Sequence, residues 1–224
     1  KQVPYQGLSR IDGVPGTAAP VSLTFLKISG SSCGALLPTG KIQDMFEGIA
    51  VTCIDNGMPV VVVRADDLGV TGYEPPEILE QNVELKRKLE AIRVQAGRKM
   101  NLGDVTKKTV PKMSLISPAR NNGLINTRTF IPHRVHEAIG VLGAVSVATA
   151  VILPGSVGEL LVSASLLKGS HDYHCDVEHP SGYFTVSLNL DKGINGIQVH
   201  HAALLRTARK LMIGEVFPVQ YCLK

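Results

Sequence analysis

Residues 51–64 read Val-Thr-Cys-Ile-Asp-Asn-Gly-Met-Pro-Val-Val-Val-Val-Arg, and this stretch decides the fold. Asn56-Gly57 predicts a tight turn, because both residues accept a positive φ angle. The valines that follow Met58-Pro59 form an uninterrupted apolar run, which is typical of a strand buried on both faces of a sheet. The first expectation is therefore a sheet that is covered on both sides.

Shorter patterns on either side of this stretch predict further strands. Apolar and polar residues alternate over residues 20–27 and 183–190, which favours two half-buried strands. Residues 34–40 suggest a strand that ends in a turn at Pro38-Thr39-Gly40. The tail, residues 204–222, predicts two strands around Ile213-Gly214.

Two segments have helical spacing. Residues 77–96 are rich in Glu, Lys and Leu and predict an exposed-face helix with a break near Asn82 and a stop at Gly97. Residues 136–151 are rich in Gly and Ala, so we expect a helix that lies close to neighbouring backbone in the centre of the fold. Short strands with two helices indicate an α+β chain.

Composition excludes several classes of protein. A chain of 224 residues that is 44% hydrophobic can bury a core, which excludes disorder. The formal net charge of +4 comes without a long basic run, so nucleic-acid binding is not expected. The apolar run at residues 139–155 is too short and too often broken by Gly, Ser and Thr for a membrane span. The four cysteines have no metal-binding spacing and predict reduced thiols in the cytoplasm.

Several motifs together resemble a known family. The segment 30–75, Met-Asn-Leu-Gly-Asp at residues 100–104 and Ile-Pro-His-Arg at residues 131–134 are similar to those of the 4-oxalomesaconate tautomerases. These belong to the PrpF-like isomerases, which share the fold of diaminopimelate epimerase. The resemblance covers nearly the whole chain. It implies an α+β lobe in which a curled mixed sheet surrounds one central helix, here the helix of residues 136–151.

The resemblance also implies a domain organisation. Residues 1–20 would come from the first lobe or the interlobe connection, residues 21–203 would form the second lobe, and residues 204–224 would be strands that return to the first lobe. The lysine and cysteine proposed as catalytic in this family belong to an amino-terminal half that this sequence does not contain. No catalytic residue is therefore assigned here. A lobe with an open apolar face is expected to associate with itself, as a homodimer or an aggregate.

The implied activity is a cofactor-independent keto-enol tautomerisation of a small polycarboxylate in the breakdown of gallate-type aromatic compounds. Such a reaction needs a base of matched pKa and donors aimed at the developing enolate. Methylitaconate and aconitate double-bond isomerases share the fold and remain alternatives. So does a carboxylate-binding or truncated half without turnover. No metal, nucleic acid or membrane is implied.

The richest chemistry lies at residues 133–144. His133, His136, Gly140 and Gly143 combine imidazoles with free N–H groups at a helix start, which bind anions well. We interpret them as substrate-binding residues, while the plainer alternative is that the histidines pack or cap beside the helix. No thiol is present there, which disfavours two-cysteine racemase chemistry.

Three further residues complete the predicted substrate site. Thr39 and Gly40 are included because of the family resemblance, although turns of this kind are common. Arg120 precedes two Asn residues in a probable loop, and a guanidinium with amides suits a polycarboxylate. A solvated turn is the more frequent role of such residues.

Thiol and metal chemistry are weaker hypotheses. Cys33 lacks the helix start or cations that lower a thiol pKa, and Cys53 lies in an apolar run typical of a core. The histidines and cysteine of residues 171–179 are the only plausible metal cluster, but they stand alone in what the pattern suggests is a surface loop. His179-Pro-Ser-Gly suggests a hairpin turn with little chance of reaching the substrate.

Overall fold

The computed structural model describes residues 4–163, 171–193 and 196–217. Within these residues lie ten strands and three α-helices. The strands are β1 Pro20–Leu26, β2 Asp44–Phe46, β3 Ile49–Asp55, β4 Pro59–Arg64, β5 Lys112–Ser117, β6 Ile125–Ile131, β7 Arg134–Val135, β8 Asp172–His179, β9 Gly182–Gly193 and β10 Gly196–Thr207. The helices are α1 Pro76–Gln81, α2 Val83–Lys99 and α3 Val141–Ile152.

The β3–β4 hairpin forms around Asn56-Gly57, as the sequence predicts. Gly57 has a φ of 90°, which is why Gly suits this position. Four successive valines of β4, Val60 to Val63, have no solvent exposure. Val60 and Val62 belong to one hydrophobic cluster, whereas Val61 and Val63 belong to another on the opposite face. The prediction of a strand buried on both faces is confirmed.

One mixed sheet contains all ten strands, in the order β1-β10-β9-β8-β6-β5-β4-β3-β2, with β7 paired to β6. Two connections join parallel neighbours: β4 to β5 through α1 and α2, and β6 to β8 through α3. Both step the same way across the sheet, but β5 and β6 are antiparallel, so the two connections start in opposite directions. Because such crossovers are right-handed, α2 and α3 are placed on opposite faces.

The sheet curls around α3. This helix contacts β3 and β4 as well as β8, β9 and β10, although strands lie about 4.8 Å apart and a helix is only about 10 Å wide. A flat sheet could not bring all these strands to one helix. The α+β class and the curled mixed sheet around a central helix are both confirmed. We call the α3 side of the sheet its concave face.

The predicted start of α3 was wrong by five residues. The helix begins at Val141 with Gly140 as its N-cap, whereas β7 extends the sheet at Arg134–Val135, and the His136 N–H donates to the Thr129 carbonyl at 2.8 Å. Its central, buried position is confirmed, because every residue from Gly143 to Ile152 is buried. In the described part of the chain, no helix is both long and apolar enough to cross a membrane.

The other predicted helix is two helices broken at Asn82, as expected. The Asn82 side chain accepts a hydrogen bond from the Leu85 N–H at 3.0 Å and so caps α2. Gly97 does not stop the helix, which continues to Lys99. A Cβ on Gly97 would lie 2.6 Å from Val105 Cγ2, so this Gly allows close packing rather than termination.

Three strand predictions need correction. Strand β1 forms, but it is mostly exposed rather than half-buried, with Leu26 68% exposed. Residues 34–40 form bends and turns, and residues 208–217 have no regular structure; residues 218–224 of the predicted tail lie outside the described residues. Strand β10 runs continuously through positions 203 and 204, and the division into residues 1–20, 21–203 and 204–224 stays a prediction.

Candidate substrate-binding end of the central helix

The amino terminus of α3 lies where β8 ends. Strands β6 and β8 are parallel, so the helix that joins them runs back along the sheet and starts beyond the carboxyl end of β6. A hydrogen bond of 2.8 Å from Ser181 Oγ to the Glu137 carbonyl fixes the loop before α3 to the β8–β9 turn. Gly57 also reaches this end, since a Cβ there would contact Leu142. We call this region the open end of α3.

The first turn of α3 has backbone N–H groups that form no hydrogen bond within the helix. Gly140 has no side chain to cap the helix, and no acidic residue lies in the first turn. The first backbone hydrogen bond of the helix runs from the Ala144 N–H to the Gly140 carbonyl at 2.8 Å. The N–H groups of Val141, Leu142 and Gly143 therefore precede the helical ladder, where the positive end of the helix dipole favours an anion.

His136 adds a side-chain donor to this end. Its Nδ1 accepts a hydrogen bond from the Ala138 N–H at 3.0 Å, so Nδ1 carries a lone pair. In a neutral imidazole the proton then resides on Nε2. The half-buried His136 thus presents an Nε2–H donor beside the start of the helix.

His179 lies close to His136 but is less exposed to solvent. It is 7% exposed, and its ring packs edge-on against Phe184 with the ring centroids 4.9 Å apart. Burial lowers its pKa to about 4; Asp12 opposes this shift, and the guanidinium groups of Arg128 and Arg206 reinforce it. At neutral pH His179 is therefore uncharged.

The predicted site residues do not all come together. His136, Gly140 and Gly143 share the open end, and His133 lies exposed in the turn between β6 and β7. Arg120 belongs to a loop whose N–H groups donate to the Glu178 carboxylate at 2.6–3.1 Å. Glu178 and His179 are neighbours on β8 and point to opposite faces.

Arg120 is therefore on the far side of the sheet from α3, where its guanidinium stacks on Tyr73 at 3.4 Å from the ring centroid. Thr39 and Gly40 lie in the turn between Leu36, whose carbonyl accepts from the Asp55 N–H at 2.9 Å, and Gln43, whose side chain donates to the Gly155 carbonyl at 2.7 Å. The substrate-binding role of all seven residues stays a prediction.

The thiol candidates are poor nucleophiles. Cys33 is buried beside Asp55, and burial, followed by the negative charge of Asp55, raises its pKa to about 12. Cys53 is fully buried in the core. Burial also raises the pKa of Cys175 to about 12.

Three of the residues considered for a metal, His174, Cys175 and His179, lie on β8 and His171 lies just before it, so the surface-loop prediction was wrong. Because side chains alternate along β8, His174 and Cys175 point to opposite faces. His174 bonds to Ser187 Oγ at 2.7 Å, and His171 pairs with Asp191 at 2.5 Å. No three metal-binding side chains converge within the described residues.

A groove of about 520 Å³ runs alongside His136, between α1 and β7. Glu77, Glu80 and Glu137 line it together with Arg134. Glu80 accepts a hydrogen bond from the Val135 N–H at 2.8 Å. These carboxylates repel a polycarboxylate, so an anion is better placed on the α3 side of His136 than in this groove.

Two groups at the open end were missed as site residues. His179 was interpreted as part of a turn, and Arg206 was interpreted only as part of an alternating strand. The signal for Arg206 was available, because an Arg on the apolar face of a strand has to meet something polar or aromatic. Here its guanidinium lies over Phe184, with Cζ 4.3 Å from the ring centroid.

Comparison with known proteins agrees with this architecture. A family model described as PrpF protein matches residues 1–219. The chain belongs to the PrpF family. A relative from Pseudomonas putida, 4-oxalomesaconate tautomerase, is 57% identical over 215 residues, which are 96% of this chain and 58% of the relative. A relative from Novosphingobium, (4E)-oxalomesaconate Delta-isomerase, is 52% identical over the same shares of both chains.

More distant relatives have similar coverage but different names. 3-Methylitaconate isomerase from Eubacterium barkeri is 26% identical and is covered to 60% of its length. A crystal structure of methylitaconate-delta-isomerase superposes with a TM-score of 0.80 at 22% identity, covering 98% of this chain and 64% of that one. The chain thus spans about three fifths of the length of the relatives it matches.

Proposed function

We propose that this chain is the anion-binding part of a cofactor-independent isomerase that interconverts the keto and enol forms of 4-oxalomesaconate. The observation that carries the proposal is the pairing, at one end of α3, of uncapped N–H groups with the Nε2–H of His136. The identity to relatives named for oxalomesaconate supplies the substrate class. No metal or organic cofactor forms part of the proposal.

Tautomerisation moves a proton from carbon to a carbonyl oxygen. The oxygen becomes negative as the C–H bond breaks, and donors already aimed at it lower the barrier. A neutral imidazole N–H can serve in this way, because it donates a hydrogen bond without first having to be charged. We assign this role to His136, and we assign a substrate carboxylate to the N–H groups at Gly140 to Gly143.

The base is not assigned to this chain. Cys33, Cys53 and Cys175 have raised pKa values and are protonated at neutral pH. By the family resemblance, a lysine and a cysteine of the remaining part of the enzyme would move the proton on carbon. Turnover is then expected only when both parts are present. Reduced cysteines fit a cytoplasmic enzyme, and self-association of the isolated chain stays a prediction.

A double-bond isomerase remains the second candidate. The names of the Novosphingobium and Eubacterium relatives describe isomerases of this kind. An allylic shift has the same need for anion binding. It differs in the position that receives the proton, which is carbon and not oxygen.

An ultraviolet assay of keto-enol conversion tests the proposal. The chain is measured alone and fused to the part of the Pseudomonas putida relative that it does not cover. We expect activity only in the fusion, and loss of about 100-fold in kcat for His136→Leu because one donor to the developing oxyanion is removed. His136→Gln, which can still donate near the Nε2 position, should lose less.

His174→Gln is the matched control, because His174 is exposed on the outward face of β8. Conversion of an allylic isomer by the fusion, without tautomerase activity, would favour the double-bond isomerase. Full activity of the chain alone would refute the assignment of the base to the other part.

A further inference from the structure

A buried nitrogen at the open end of α3 has no partner among the described residues. His179 Nε2 is shielded from solvent, and no donor or acceptor in that part of the chain lies within hydrogen-bond distance of it. An unpaired buried polar atom costs about 1–3 kcal/mol, so such atoms are rare and call for an explanation. The other ring nitrogen, Nδ1, lies 3.3 Å from Ser181 Oγ.

Hydrogen-bond accounting fixes the proton on His179. Ser181 has one hydroxyl proton, and it donates that proton to the Glu137 carbonyl, which can only accept. In the contact between the two side chains, Nδ1–H must therefore be the donor and Ser181 Oγ the acceptor. The neutral ring then has a lone pair on Nε2, so His179 offers an acceptor where His136 offers a donor.

A cation lies beside this acceptor. Arg206 follows Ala202 and Leu204 on the concave face of β10 and stacks on Phe184, the ring that His179 also contacts. Its guanidinium donates to the Leu205 carbonyl at 3.1 Å, and within the described residues no carboxylate forms an ion pair with it. An Arg that is half-buried and unpaired is well placed to bind a ligand carboxylate.

The carboxylate of Asp12 already lies nearby. A Cβ on Gly182 would come within 2.3 Å of Asp12 Oδ2, and Asp12 acts on the pKa of His179. The segment that holds Asp12 has no helix or strand; backbone hydrogen bonds between Ser9 and Ala18 and from the Ala19 N–H to the Tyr5 carbonyl hold its two ends together, and none of them involves Asp12. A ligand carboxylate can therefore take the place of Asp12 beside His179 and Arg206.

We propose that His179 and Arg206 form a subsite for a carboxylate with a hydroxyl on the adjacent carbon, as in the enol form of a 2-oxo acid. Arg206 binds the carboxylate, and His179 Nε2 accepts a hydrogen bond from the hydroxyl. The keto form has no such hydroxyl and leaves Nε2 unpaired. The oxalo group of 4-oxalomesaconate is a 2-oxo acid in the keto form. The subsite therefore favours the enol form of this group. This inference rests on the proposed function for its substrate class.

Two stable tricarboxylates test the subsite without turnover. Citrate has a hydroxyl next to a carboxylate, and tricarballylate is the same acid without the hydroxyl. Titration calorimetry of the full chain in metal-free buffer gives both dissociation constants. We expect citrate to bind about three- to tenfold more tightly, the value of one net hydrogen bond.

Two amide variants separate ligand binding from a structural role. His179→Gln can place its carbonyl oxygen near the Nε2 position and should keep the preference for citrate. His179→Asn places its amide near the Nδ1 position, keeps the contact to Ser181 and should lose the preference. Arg206→Gln should weaken both acids by about tenfold while citrate remains preferred. His174→Asn, on the outward face of the same strand, is the control.

Equal binding of the two acids by the native chain, or no saturable binding of either, overturns the subsite. So does a preference that survives in His179→Asn and disappears in His179→Gln, since only the Ser181 contact would then matter. Thermal unfolding of each variant confirms that it is folded. The tautomerase proposal stands or falls separately, because it is tested by turnover in the fusion.

Discussion

The two ends of α3 treat their polar groups differently. At the carboxyl end, the Val157 N–H donates to Thr52 Oγ1 at 3.2 Å, and this hydroxyl donates to the Ile42 carbonyl at 2.9 Å. Gln43 satisfies the Gly155 carbonyl there. At the open end, the first turn has no side-chain cap, and His179 Nε2 has no partner in residues 4–163, 171–193 and 196–217.

This difference separates the end of α3 that stabilises the fold from the end that is available to bind a ligand. A protein loses nothing by pairing every polar group where the only task is to hold the chain. Unpaired donors and acceptors are retained where a ligand supplies their hydrogen-bond partners, and they lower the stability of the protein without its ligand. The carboxyl end should therefore govern unfolding, and the open end should govern binding.

The largest effect is expected from Leu153→Ala at the carboxyl end. Leu153 is fully buried, and its loss should lower the free energy of unfolding by about 3 kcal/mol through lost burial and a cavity. Leu142→Ala, the same change in the half-buried first turn, should cost about 1 kcal/mol. Urea denaturation measures both. Equal losses of stability in the two variants would show that the open end is packed as tightly as the carboxyl end of α3.

Thr52→Val should cost about 2 kcal/mol. The substitution keeps the shape of the side chain but removes the hydroxyl that pairs the Val157 N–H with the Ile42 carbonyl, so two backbone groups lose their partner. Thr52→Ser retains the hydroxyl and is the control. If Val is tolerated without loss of stability, water must reach this end of the helix.

Acid should weaken the open end in particular. The pKa of His179 falls from 6.5 to about 4 on folding, so between these values the unfolded chain binds a proton that the folded chain does not. Stability is full above pH 6.5 and decreases as the pH falls towards 4, by about 1 kcal/mol per pH unit at most. The pH dependence of the urea midpoint reports this. His179→Gln should flatten the slope, and an unchanged slope would contradict it.

The smallest change in stability is expected from Gly140→Asp. Gly140 has a φ of −66° and open space around its Cβ position, so Asp fits and can cap α3, adding about 0.5 kcal/mol. The same carboxylate competes with a bound anion, and citrate binding should weaken about tenfold. Gly140→Ala adds neither cap nor charge. A variant that gains stability without losing citrate binding would place the anion elsewhere.

Local sequence predicted the elements that local chemistry determines. The turn at Asn56-Gly57 and the helix break at Asn82 depend on residues within a few positions, and both formed as expected. The start of α3 depends on distant partners: β7 pairs with β6, and the His136 N–H is bonded to the Thr129 carbonyl instead of entering a helix. Gly97 resembled a helix stop, but Val105, eight positions away, explains it.

The site was predicted in part for the same reason. Residues 136–143 share one segment, so their chemistry is visible in the sequence. His179 and Arg206 meet only because β8, β9 and β10 align in register around Phe184. Arg120 was expected at the same site, yet the sheet separates it from α3.

Hydrogen exchange at the three amides that precede the hydrogen-bond ladder of α3 can report anion binding directly. From Ala144 onward the helix is buried and hydrogen-bonded, so its amide hydrogens exchange with deuterium only through large-scale opening. Those of Val141, Leu142 and Gly143 lack that protection and exchange early. An anion seated at the helix start would slow these three and leave the rest unchanged, so that isotope exchange reads occupancy one residue at a time.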